Sequence, residues 1–329
     1  MDACVEKVVR ILGVVNRLDD PESVLDKVAD ACSLVMGRPL PRGDVLCRLR
    51  QLSGYVAALG RLLANPGIPQ RTDAWYAARE SMVTGSELAS AMSKSSRNQF
   101  FKRKLAGPSA WDDMKDKPAI KWGVKYEPVA CVIYARRNGA SVHDFGLLTH
   151  PTIRGFGASP DGISDLGIML EIKCPYSRLI TGEVPVAYWS QIQSQLDTTG
   201  LEECDFLEVK LEEYDSLDAF ERDGRDGLSR SGMEKGAVWK TDAEHQVMVG
   251  DGAVEWAASR PGSSFWKLVT YSCVRVKRDE SYIAGLATEI ERVVADIARY
   301  RLDPESLNRV RVAEKAPPWV IPSFAFLDG

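Results

Sequence analysis

Gly157-Ala-Ser-Pro-Asp-Gly-Ile-Ser-Asp-Leu-Gly-Ile-Met-Leu-Glu-Ile-Lys-Cys-Pro175 carries the densest chemical signal in this 329-residue chain. Asp161 follows a proline at a strand end. Glu171 lies further on, inside an apolar strand, and Lys173 comes two positions after it. Residues two apart on a strand project from the same face, so Glu171 and Lys173 point together, while Ile168, Leu170 and Ile172 fill the opposite face. The turn Gly162–Gly167 is short enough to close the flanking strands into a hairpin, which brings Asp161 beside Glu171. Two carboxylates held side by side repel one another and resist desolvation, and a bound divalent cation relieves both problems. Oxygen ligands favour Mg²⁺ or Mn²⁺ over zinc. An isolated Glu-x-Lys reads more simply as an exposed salt bridge, with Asp161 as a turn residue. The Pro-Asp at this spacing argues for the cation.

On the N-terminal side, the first 64 residues read as three helices. Their apolar stripes are Val5, Val8, Leu12, Val15; then Leu25, Val28, Cys32, Val35; then Leu49, Leu52, Val56, Leu59, Leu63. Asp20-Pro21 and Gly43-Asp44 supply the cap and start signals for the second and third. Two prolines and a glycine in Asn65-Pro66-Gly67-Ile68-Pro69 mark a linker. Residues 1–68 are therefore expected to form an accessory or partner-binding helical domain. Thr72 or Asp73 caps a short helix with Trp75, Tyr76 and Arg79, and a turn at Val83-Thr84-Gly85 leads to another helix near Ser86. A basic helix over 98–105 and a helix over 118–137, kinked at Pro128, come next. Strands are expected over 141–148, 153–158, 168–174 and 206–214, with a helix over 186–198 among them. Residues 215–262 read as an acidic, loop-rich insertion. A last strand at 266–276 and a helix at 282–300, with Ile283, Leu286, Ile290, Val293 and Ile297 inward, close a domain over 69–300; residues 301–329 form a tail. Helix, strands, helix, strand predicts an α/β sandwich on a mixed central sheet.

Apolar residues make up 45% of the chain and charged residues 27%, which excludes wholesale disorder. Seven cysteines without a CxxC pair, and no basic stretch leading into an apolar run at the N-terminus, point to a reducing intracellular compartment rather than secretion. No window has the ~18 apolar residues that a membrane span needs. Three histidines without HxxxH spacing disfavour a zinc enzyme. The net charge of −4 hides segregation: Lys94 to Lys125 holds nine bases against three acids, and Glu202 to Asp226 holds eleven acids against three bases. Local fields attract polyanions, so the basic stretch is compatible with nucleic acid although a solvated helix face explains it equally well.

The Ser-Pro-Asp-Gly and Leu-Glu-Ile-Lys-Cys-Pro-Tyr segments together resemble the PD-(D/E)xK nucleases of the lambda exonuclease and YqaJ-type viral recombinase family. Further landmarks appear in order. Trp75-Tyr-Ala-Ala-Arg79 followed by Val83-Thr-Gly-Ser86-Glu resembles the N-terminal motif, and Trp122-Gly-Val-Lys-Tyr-Glu127-Pro the helix bearing the first acid. Tyr188-Trp-Ser-Gln191-Ile-Gln193 resembles the glutamine-bearing helix. The resemblance covers roughly residues 70–214, and its flavour is that of versions from large DNA viruses. It implies a restriction-endonuclease-like core and a Mg²⁺-dependent 5′→3′ exodeoxyribonuclease acting on linear duplex DNA ends in recombination, repair or genome processing. Asp161, Glu171 and the Ile172 carbonyl would hold two Mg²⁺ ions, with Mn²⁺ as a substitute, and Glu127 would complete the cluster. Lys173 would position or deprotonate the attacking water and offset transition-state charge. Arg79 and Ser86, helped by Ser159, would take a terminal 5′-phosphate, and Gln191 would hydrogen-bond near the scissile group or the metal-bound water. A homotrimer and a single-strand annealing partner are implied by the family alone. Each residue also has a plainer reading: Ser86 as a helix cap, Gln191 as a satisfied helix polar group, Trp75, Trp122 and Trp189 as core.

Two rivals stay open at this level. An endonuclease on DNA or RNA would use the same metal site, because related cores serve both modes. An inactive DNA-end-binding module would be expected to have lost part of the cluster, yet Glu127, Asp161, Glu171 and Lys173 are all present.

Overall fold

The computed structural model describes residues 1–93, 95–106, 117–225, 227–241 and 245–309. Lys94, residues 107–116 with Lys115, Asp226 and residues 310–329 of the expected tail lie outside the described residues. The three opening helices form as their spacing requires: α1 (Asp2–Ile11), α2 (Glu22–Met36) and α3 (Arg42–Leu63). Val5, Val8 and Val9 pack with Val24, Val28, Cys32, Leu49 and Leu52. The stripes run out at their ends, where Val35 and Leu63 are exposed. The cap reading needs correcting. Pro21 and Pro41 occupy the cap positions of α2 and α3 and no side chain caps either helix, so Asp20 and Asp44 do not do so.

The bundle packs directly on the rest of the chain. Its core continues into Leu166 and Ile168 of the hairpin. Gly167, at φ +72°, lies so near the Tyr55 carbonyl that any Cβ would overlap it. The linker is also tied down: Ile68 and Leu147 exchange backbone hydrogen bonds of 3.2 and 2.7 Å.

Next come α4 (Asp73–Ser81), β1 (Val83–Thr84), α5 (Leu88–Met92), α6 (Arg97–Ala106) and α7 (Pro118–Asn138). The Trp75 N–H donates to Thr72 Oγ1 at 3.2 Å, which confirms the cap of α4. Helix α7 runs on through Pro128 and buries Tyr126, Val129, Ala130, Ile133 and Tyr134. Short strands follow: β2 (Val142–His143), β3 (Leu148–Thr149), β4 (Phe156–Ala158), β5 (Gly162–Ser164) and β6 (Met169–Lys173). Helix α8 (Val186–Thr199) then crosses to β7 (Glu203–Glu213). The remainder is α9 (Leu217–Arg222), β8 (Lys235–Lys240), β9 (His245–Val249), α10 (Ala253–Ala258), β10 (Ser264–Lys277), α11 (Glu280–Leu302) and, within the expected tail, a short helix α12 (Pro304–Arg309).

The main sheet has the order β2-β5-β6-β7-β10-β8-β9, and a small sheet has β1-β4-β3. In the main sheet β6 and β7 are parallel, joined through α8, and the other neighbours are antiparallel. One face packs on α7 through Leu170, Ile172, Leu207, Val209 and Trp266. The other packs on α8 through Ile163, Met169, Cys204 and Phe206. Helix α11 buries the expected face, Ile283, Leu286, Ile290, Val293 and Ile297. It packs on β1, β4, α5 and α6.

A further expectation fails. The 215–262 insertion is not loop-rich: β8 and β9 pair into a hairpin that extends the main sheet beyond β10. Part of the acidic run faces inward. Glu203, Asp205 and Glu208 are buried. Arg48 and Arg275 flank Glu203, Arg275 also holds Asp205, and Arg178 pairs with Glu208. Arg48 also donates to Glu6 at 2.5 Å, so α1, α3, β7 and β10 meet in one buried ionic network.

Candidate active site

The expected hairpin forms between β5 and β6, with Gly162 opposite Leu170 and Ile163 opposite Met169. That register sets Asp161, one residue before β5, against the middle of β6, and its Oδ2 accepts the Ile172 N–H at 2.6 Å. Gln70 donates to the carbonyls of Phe145 and Pro160, at 2.9 and 3.2 Å, which steadies the turn before Asp161. Glu171 is fully buried. Its Oε1 accepts from Lys173 and from Gln191 Nε2, the latter at 2.8 Å, while its Oε2 is buried without any hydrogen-bond partner. Glu127 comes from α7, close enough for its charge to act on Asp161, and Arg71 donates to it at 3.2 Å.

The electrostatics are those of crowded carboxylates. Burial, then the charges of Glu171 and Glu127, push the Asp161 carboxyl well above the usual range, despite the opposing Lys173 charge and Ile172 N–H. Burial also raises Glu127, with Glu171 and Asp144 adding to the effect while Arg71 and Lys173 oppose it. Burial works against the Lys173 ammonium, but Glu171 and Asp161 outweigh it and raise its pKa, so the side chain is cationic at neutral pH. Its ammonium also lies 5.1 Å from the centroid of the Tyr188 ring.

The donor set suits a hard divalent cation: three carboxylates, one with an orphaned buried oxygen, and acids whose mutual repulsion a cation would relieve. As they stand, no three His, Cys, Asp or Glu side chains among the described residues converge closely enough to hold an ion. The reason is local. Lys173 and Gln191 share Glu171 Oε1, Asp161 Oδ2 takes the Ile172 N–H, and Arg71 draws on Glu127. Gln191 thus contacts a candidate ligand, not open space.

The expected phosphate-binding residues gather at a second corner. Strands β1 and β4 are parallel, with Thr84 beside Gly157, so Ser86 and Ser159 leave the same ends of adjacent strands. Trp75 Nε1 donates to Ser159 Oγ at 3.2 Å, and the Arg79 guanidinium lies 4.4 Å from the centroid of the Trp75 ring. Burial lowers the Arg79 pKa, with Glu87 and Tyr76 opposing. Ser86 is exposed and does not cap a helix; Thr84 and Glu87 form the capping box there, and Ser86 Oγ lies 3.3 Å from Thr84 Oγ1. The sequence reading missed the device beneath this corner. Buried Lys104 donates to the Arg79 and Met82 carbonyls at 2.6 and 2.7 Å and pairs with Glu87 at 2.9 Å. It also missed Arg71, the one non-glycine residue at positive φ (+64°) among the described residues, which reaches Glu127. A non-glycine residue in that region is a signal only coordinates reveal.

A helix, the three antiparallel strands β2, β5 and β6, a crossover helix and a parallel strand, with Asp161 just before β5 and Glu171 and Lys173 on the neighbouring β6, define the PD-(D/E)xK class of nuclease fold. Within it, residues 74–202 match the YqaJ-like viral recombinase domain. An uncharacterized protein of Acanthamoeba polyphaga mimivirus is 38% identical over 141 residues, covering 36% of this chain and 26% of that protein. A protein of African swine fever virus (isolate Tick/South Africa/Pretoriuskop Pr4/1996) is 28% identical over 159 residues, covering 39% of this chain and 45% of its own length. The chain thus spans less than half of either curated relative. Among solved structures it is similar to an alkaline exonuclease from Laribacter hongkongensis, at 27% identity and a TM-score of 0.48, over 72% of this chain and 97% of that one.

Proposed function

We propose that the protein is a Mg²⁺-dependent deoxyribonuclease that digests linear duplex DNA from its 5′ ends. The observation that carries this reading is the buried Glu171, with one carboxylate oxygen unpartnered, beside an Asp161 whose burial and acidic neighbours disfavour its charge. Such a pair is poorly placed for stability and well placed for cation chemistry. Asp161, Glu171, the Ile172 carbonyl and Glu127 are the groups that would hold Mg²⁺, which when bound would activate water and stabilise the leaving oxygen. Gln191 and Lys173 keep the Glu171 carboxylate oriented from two sides. Lys173, charged in this setting, suits offsetting negative charge on the phosphate and holding the attacking water better than deprotonating it. Arg79, stacked on Trp75, presents a planar guanidinium near Ser159 and Ser86, which fits bidentate contact with a terminal phosphate. The relatives in large DNA viruses and the name of the matched domain support a role in DNA recombination.

The test follows a linear duplex labelled at one 5′ end, and a closed circle, each with Mg²⁺ or EDTA. Early release of labelled mononucleotide with the circle intact is the expected result. Nicking of the circle would overturn the end-directed reading and leave an endonuclease, and no cleavage of either would overturn the nuclease.

A further inference from the structure

Residues 175–185 join β6 to α8, and so connect Lys173 to Gln191. Two β7 side chains fasten the start of this segment. Lys210 donates to the Tyr176 carbonyl at 2.6 Å and the Pro175 carbonyl at 3.3 Å, and Glu208 pairs with Arg178. Glu208 lies opposite Lys173 in the parallel register, so the anchors sit beside the charged cluster. From α7, Trp122 meets Tyr176 edge to face, with ring centroids 5.4 Å apart, and is itself backed by Tyr126 at 4.4 Å. Despite this scaffolding Tyr176 is 52% exposed, and Leu179 beyond it is 84% exposed. A single exposed apolar side chain is ordinary on a protein surface. An aromatic ring pinned by its backbone and by a second ring, with surface still open to solvent, is a preorganised platform. Tyr176 follows Lys173 by three residues, at most ~10 Å of chain. Trp122 precedes Glu127 by five residues on α7, a rise of about 7.5 Å.

The ligand that fits both features carries negative charge at one end and a flat apolar ring at the other, about a nucleotide apart. Resting on the nuclease reading above, we propose that Tyr176, backed by Trp122, is the stacking platform for a base adjoining the scissile phosphate. Every base offers a π face, so this contact adds affinity and position without reading sequence. Fastening the segment through Lys210 and Glu208 leaves little freedom to lose when the base docks, which is the benefit of preorganisation.

The test uses full-length protein with Ca²⁺ in place of Mg²⁺ and duplexes carrying 2-aminopurine at the first or second 5′ nucleotide. Wild type and Tyr176→Phe are expected to quench the probe at one of these positions, and Tyr176→Ala is not. Tyr176→Ala should weaken binding by roughly 5- to 150-fold, the range for one lost base–aromatic stack. An abasic site at the quenched position should abolish the difference between wild type and Tyr176→Ala. Quenching by Tyr176→Ala equal to wild type, no quenching by wild type, or an equal loss on natural and abasic DNA would each overturn the platform. Because fluorescence needs no turnover, a protein that quenches through Tyr176 but cuts nothing with Mg²⁺ would sink the nuclease reading and leave the platform standing.

Discussion

Glu203→Gln probes the junction between the helical bundle and the sheet. In the folded protein Glu203 is buried between Arg48, at 2.7 and 2.8 Å, and Arg275, and Tyr55 donates to it at 3.2 Å. Burial opposes ionisation, but the two guanidinium groups outweigh it and hold the carboxyl at about 2, below its ordinary 4.5. The folded-state pKa is depressed, so the ionised form stabilises the fold above about 4.5, and that contribution fades as pH falls towards 2. At about 1.4 kcal/mol per pKa unit, the difference amounts to on the order of 3 kcal/mol at pH 7. Glutamine keeps the shape and removes the charge, and Glu6 and Asp205 remain for the arginines. The assay is urea unfolding of wild type and variant at pH 7, 5 and 4, followed by tryptophan fluorescence and far-UV circular dichroism. We expect the variant to be less stable by about 2–4 kcal/mol at pH 7, with unchanged m-value, and the gap to start narrowing at the lowest pH. Equal stability at pH 7, or a gap that widens in acid, would refute the ionic argument. Two separate transitions, with only one displaced, would refute the idea that bundle and sheet unfold together.

Removing residues 1–68 uncovers Leu166 and Ile168 and strips Glu203 and Arg275 of partners, so the truncated chain should be insoluble or molten; a soluble fragment with cooperative unfolding would contradict this. Asp161→Asn should abolish cleavage yet raise the melting temperature in EDTA at pH 7, since it removes a carboxyl whose charge the site disfavours; an unchanged or lower melting temperature would count against the crowding argument. Added Mg²⁺ should raise the melting temperature of wild type more than that of this variant. Arg79→Ala should slow digestion of 5′-phosphorylated ends more than of 5′-hydroxyl ends, and an equal loss would remove Arg79 from phosphate binding.

What the sequence made legible is what short-range order encodes. The Pro-Asp and the Glu-x-Lys strand stand close enough in sequence that the hairpin joining Asp161 to Glu171 follows from spacing, although Gly162–Ser164, expected in the turn, forms β5. The inward face of α11 follows from 3.6-residue periodicity. The failures are non-local. The burial of part of the acidic run over 202–226 left no local signal because Arg48 and Arg275 stand far from Glu203 in sequence. Strands β8 and β9 hid behind glycines at positive φ, such as Gly227 and Gly250, where turn chemistry masks two strands of five or six residues. Ser86 resembled a cap because it opens a turn, but Thr84 two residues earlier had the Glu87 partner that completes the box.

The contact between Glu6 and Arg275 spans 269 residues, nearly the whole chain. On the ribosome, the first helix must wait for β10 before its buried acid meets this partner. Until then Glu6 and Glu203 have only Arg48 between them, and the edge of β7 that β10 covers stays open to water. Closure of this network and of the β7 edge is therefore a late event in synthesis, and the half-made chain carries exposed sheet edge for as long as translation of the intervening residues takes.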